Sequence, residues 1–110
     1  MIATYVQRGE TVDFIAAADV AAGDVVPIGE IVGVCQRQVV AGEIGPLTVT
    51  GVFDFPKATG SGSGIAAGAK AYWDGSAKVI TTTAASNKYV GKTVLAAGNN
   101  DETVRVRLSQ

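Results

Sequence analysis

Apolar and polar residues alternate with a period of two in several short stretches of this chain. The cleanest is Thr103-Val104-Arg105-Val106-Arg107-Leu108, with Val104, Val106 and Leu108 on one face and Arg105 and Arg107 on the other. That alternation marks a half-buried strand. Thr11-Val12-Asp13-Phe14-Ile15 repeats it, with Val12 and Phe14 inward. The longest run goes from Leu47 to Phe55, with Leu47, Val49, Gly51, Phe53 and Phe55 on one face, and ends at Pro56. It predicts one long strand. Further strands are predicted at Ile2 to Val6, Asp24 to Ile28, Glu30 to Cys35, Ala69 to Trp73, Ala77 to Thr82 and Tyr89 to Ala96. The pair flanking Gly29-Glu30 and the pair flanking Asp74-Gly75 read as hairpins. Pro27 lacks an N–H for a ladder, so its strand is expected at an edge or a bulge. Ala16 to Ala22 reads as a connection, and no stretch keeps an amphipathic helical period.

A short motif recurs just ahead of the apolar runs. It reads Ala21-Ala22-Gly23-Asp24, then Val40-Ala41-Gly42-Glu43, then Ala66-Ala67-Gly68-Ala69, with a weaker copy at Ala96-Ala97-Gly98-Asn99. Glycine tolerates positive φ, so each copy is expected to be a tight turn feeding a strand. Ala58-Thr59-Gly60-Ser61-Gly62-Ser63-Gly64 reads as a flexible loop. Short strands with Gly-rich turns predict an all-β fold: a small single-domain barrel or a β-clip-like sandwich over residues 1–110, with 1–8 as an N-terminal contact arm.

Composition removes most chemistry. The chain has 110 residues, 14 glycines and no histidine. Without histidine the commonest general base and metal ligand is missing, and no Ser-His-Asp triad can form within one chain. Cys35, the single cysteine, lies in an apolar run and reads as a buried small hydrophobe. Nine basic residues balance ten acidic ones with no run of either sign, so the linear sequence shows no basic stripe for nucleic acid. No window approaches a membrane-spanning length, and Met1 to Glu10 is too polar for a signal peptide. The expectation is a protein kept in the cytoplasm unless an assembly carries it out.

Gly91-Lys92-Thr93 resembles the end of a phosphate-binding loop. The full motif needs a glycine where Ser86 stands, and a helix after the lysine. Lys92 therefore reads as a strand residue. The acids Asp13, Asp19, Asp24, Glu30, Asp54 and Asp74 are scattered singly and read as turn residues. No catalytic, metal or cofactor-binding residue is assigned. In Tyr72-Trp73 the two rings point to opposite faces of a strand, so one is expected to be exposed as an interface anchor. The candidate partner contacts are Ile2, Tyr5 and Val6 in the arm, with Tyr5 as the anchor, and Trp73.

Several blocks, in order and spacing, resemble a tailed-phage and prophage family of capsid cement, or decoration, proteins. They include Tyr5 to Phe14, Ala21 to Val26, Gly29 to Val34, Thr50-Gly51-Val52-Phe53-Asp54-Phe55-Pro56-Lys57, Ala71-Tyr72-Trp73-Asp74 and Val104 to Leu108. Members have also carried a predicted-recombinase label, which the broken phosphate loop argues against here. The resemblance implies a non-enzymatic protein on the exterior of the virion capsid, made in the host cytoplasm. It also implies the major capsid protein as partner, a homotrimer as the favoured state, and neither nucleic acid nor membrane as a ligand. The alternatives are a small β-barrel module that binds a small molecule or nucleic acid, and a recombination-related nucleotide-binding protein.

Overall fold

A computed structural model describes residues 2–110. Nine strands and no helix are present among the described residues: β1 (Thr11–Ile15), β2 (Val25–Ile28), β3 (Ile31–Val34), β4 (Ile44–Thr48), β5 (Gly51–Pro56), β6 (Lys70–Asp74), β7 (Val79–Thr81), β8 (Lys88–Thr93) and β9 (Thr103–Leu108). They form two antiparallel sheets, ordered β1-β4-β3-β2 and β5-β9-β8-β6-β7. The all-β expectation holds, as a small two-sheet sandwich.

Each sheet has its own core. Phe14, Ala16, Cys35, Val39 and Leu47 fill the smaller one. Phe55, Trp73, Ile80, Val90, Val104, Val106 and Leu108 build the larger one, joined by Val32 and Val34 from the first sheet. Fully burying a side chain such as Phe55 or Val106 contributes about 1.5–3 kcal/mol. β3 is thus shared, serving the larger core with Val32 and Val34 while its continuation, Cys35, enters the smaller one. The sheets are also tied by the Lys88 ammonium, 2.8 Å from the Glu30 carboxylate, and by the Val32 N–H donating to the Gln110 side chain.

Two strand predictions need correction. The run from Leu47 to Phe55 is not one strand. Its alternation is real, with Leu47 and Phe55 both buried. However, β4 ends at Thr48 in one sheet and β5 begins at Gly51 in the other. Gly51, at φ +113°, lets the chain turn between them. The second correction is Ile2 to Val6, which forms no strand. Its β-favouring residues find no pairing edge in their own domain.

The hairpins form as predicted. Pro27 lies on β2 at the sheet edge, opposite Val32. In the β6–β7 hairpin the Asp74 carboxylate accepts the N–H groups of Ser76 and Ala77 at 3.0 and 3.1 Å, so the turn is longer than Asp74-Gly75 alone. Gly23, Gly42 and Gly68, from the three strong copies of the recurring motif, all have positive φ. The weaker copy turns differently, with the Gly98 N–H donating to the Asp101 carboxylate at 2.7 Å.

Candidate functional site

Five of the six scattered acids have a partner in the fold, each a different one, while Asp13 is exposed on β1. Asp19 accepts the Ala41 N–H, Asp24 accepts the Ala21 N–H, and Asp74 closes its hairpin. Asp54 on β5 faces Arg105 on β9, its register partner. The guanidinium donates twice, Nε at 2.9 Å and an Nη at 3.3 Å. That hydrogen bond holds the Asp54 carboxyl below the ordinary carboxylate range and raises Arg105. No group of three metal-ligating side chains comes together among the described residues.

Gly91-Lys92-Thr93 lies inside β8, and no helix follows it. Gly91 has a structural reason: a methyl group there would meet the main-chain oxygen of Arg107 at 1.8 Å. The glycine lets β8 approach β9, and Lys92 points to solvent. A phosphate loop is excluded by this geometry. A depression of about 670 Å³ lies where the chain passes between the sheets. The residues lining it include Val12, Ile31, Val49, Val52 and Leu108, and Arg107 is the one lining residue of an ionisable type among those described.

The candidate contact residues fall into two groups. Ile2, Tyr5 and Val6 are 91%, 80% and 84% exposed. Among the described residues no main-chain to main-chain hydrogen bond involves residues 2–9, and the Gln7 amide donates to the Thr11 carbonyl at 2.9 Å. Met1 lies outside the described residues. Trp73, by contrast, is 6% exposed and packs its ring 6.5 Å from that of Phe55. The alternation of β6 turns it into the larger core, so it is no surface anchor. Its neighbour Tyr72 is the half-exposed ring, edge-on to Tyr89 with centroids 5.6 Å apart.

Sequence reasoning missed Lys57. It is 5% exposed, and its ammonium donates to the carbonyls of Ala58 and Asp101 and to the Ser63 hydroxyl. The Ser63 hydroxyl in turn lies 2.6 Å from the Gly60 carbonyl oxygen and 2.9 Å from that of Asn99, within reach of either for its one proton. The Gly-Ser loop expected to be flexible is therefore stitched to the 99–101 turn. A lysine after a proline carries no sequence signal for this.

What the geometry offers among the described residues is an exposed N-terminal segment carrying Ile2, Tyr5 and Val6 beside a two-sheet β domain. The family model for phage cement protein matches residues 6–108. The chain belongs to the phage cement protein family. No match was found among curated proteins or among solved structures. Membership gives the cement protein a structural role on the phage capsid. The matched span takes in Val6 and both sheets, and leaves Ile2 and Tyr5 outside it.

Proposed function

We propose that this protein binds the exterior of the assembled phage head and stabilises it without catalysis. The family match carries the reading. The separate structural partners of Asp19, Asp24, Glu30, Asp54 and Asp74, the strand position of Lys92 and the mostly apolar residues lining the depression between the sheets support it. The proposed partner is the major capsid protein, with the cement protein acting as a homo-oligomer, a trimer being favoured. It would be made in the host cytoplasm and end on the virion.

The N-terminal arm is the proposed contact. A segment with Ile2, Tyr5 and Val6 exposed gains apolar burial only from a partner. A segment outside both sheets also carries N–H and C=O groups that can add to a neighbour's sheet edge. Tyr5 is the proposed anchor, since tyrosine is enriched among residues that dominate binding energy.

A site built from several capsid subunits exists only on the shell, so affinity should be multivalent. Sedimentation with assembled heads and with dissociated capsid protein tests this. The protein should pellet with heads and ignore free subunits; equal binding to both contradicts cementing. Deleting residues 2–7 should abolish head binding or oligomerisation and leave the domain folded. Unchanged head binding and unchanged oligomeric state would remove the arm's role.

A further inference from the structure

The sheet register places three cations side by side. Lys70 on β6 is the partner of Lys92 on β8, and Lys92 is the partner of Arg107 on β9. All three are exposed. They form one row across the outer face of the five-stranded sheet, spanning two strand spacings, or about 10 Å. Val52 continues the row on β5 as the partner of Arg107. Tyr72 stands on the same face, two residues along from Lys70 and paired with Tyr89.

Like charges directly opposite one another destabilise a sheet. They also lie within a Debye length, so salt screens them incompletely. Glu30 pairs with Lys88, the nearest acid on β5, Asp54, is taken by Arg105, and none of the three has a carboxylate partner among the described residues. In strand sequence they are separated by Lys70-to-Lys92 and Lys92-to-Arg107 gaps that hide the cluster. Only the pairing of β6, β8 and β9 assembles it.

We infer that this face is a second docking surface, and that the row Lys70, Lys92 and Arg107 seats on a carboxylate-rich protein surface of the shell. The inference rests on the cement reading for its location. Charge complementarity selects the occupant: the row lacks only anions. Protein carboxylates fit better than nucleic acid. A duplex presents one charge per roughly 1.7 Å, far denser than this row. Arg8, Arg37 and Lys78 sit in the arm and in loops, so they do not extend the row. The adjoining tyrosine pair supplies the aromatic, arginine-bearing composition typical of interface centres.

The test compares wild type, Lys92→Gln, and the triple variant Lys70→Gln/Lys92→Gln/Arg107→Gln, with Arg37→Gln as control. The probes are heads of the encoding phage stripped of this protein, poly-L-glutamate, and a short DNA duplex. The triple variant should bind heads about tenfold more weakly, with a shallower salt dependence. Poly-L-glutamate should compete for wild type. The melting temperature of Lys92→Gln should be no lower than that of wild type, because a repulsion has been removed. A merely structural role would lower it. If wild type fails to bind heads, the cement reading and this one fall together. If wild type binds heads and the triple variant binds equally, with the same salt dependence, the row alone is overturned. Row-dependent binding to the duplex stronger than to poly-L-glutamate would make phosphate the ligand and overturn the assignment.

Discussion

Gly91→Ala should be among the most damaging single-methyl substitutions in the chain. A methyl carbon at Gly91 would lie 1.8 Å from the Arg107 main-chain oxygen and 2.9 Å from its carbonyl carbon. Real side-chain carbons essentially never come closer than 3.0 Å, so β8 and β9 must part by 1.2 Å (3.0 minus 1.8). The obstacle is backbone and cannot rotate away. Ladder N···O distances of about 2.9–3.0 Å would exceed hydrogen-bonding range after such a shift. Overpacking costs about 1–3 kcal/mol, and each weakened ladder bond about 1 kcal/mol more. The displaced partner of Gly91 is Leu108, a buried core residue. A loss of about 3 kcal/mol lowers the melting temperature by about 12 °C in a domain of this size. Gly75→Ala is the control, since its methyl meets only the Trp73 indole nitrogen at 4.0 Å. Thermal unfolding followed by circular dichroism reads both. A fall of less than about 3 °C for Gly91→Ala would refute the β8–β9 register and reopen a role for this glycine outside the sheet.

Leu108→Ala should cost about 2–5 kcal/mol, because it empties core volume, whereas exposed Arg107→Ala should leave the melting temperature nearly unchanged; similar shifts in thermal melts would contradict the burial pattern of β9. Lys57→Met should cost about 2 kcal/mol by stranding the carbonyls of Ala58 and Asp101, and hydrogen exchange should show residues 58–64 opening more readily. The folded-state pKa of Asp54 is depressed, so its stabilising contribution is present above the ordinary carboxylate value of about 4 and is lost as pH falls through the lowered value. Melting curves of Asp54→Asn and wild type should therefore differ near neutrality and converge under acid; a gap that persists at acid pH would exclude the ion pair as its source.

Local chemistry made most of the strands legible. Alternation at 11–15 and 103–108 fixed which residues of β1 and β9 point inward, and the turn glycines separated the elements. Two features were hidden by tertiary structure. The alternation from Leu47 to Phe55 is continuous through Thr48 and Gly51, so a change of sheet leaves the period intact and only the φ of Gly51 betrays it. Ile2 to Val6 has strand composition, yet composition does not supply an edge to pair with. Of the candidate contacts, Ile2, Tyr5 and Val6 are exposed, whereas Trp73 lost the choice of faces to Tyr72 because β6 turns its odd-numbered residues inward. Lys57 and the row of Lys70, Lys92 and Arg107 depend on strand register, which sequence separation conceals.

The account stands most directly on whether the protein stabilises a shell. Heads lacking the protein can be heated with and without it while DNA release is followed by dye fluorescence. Added protein should shift release to higher temperature in a saturable way, and protein lacking residues 2–7 should give no shift. Release at the same temperature, with heads saturated by bound wild-type protein, would contradict a cementing role.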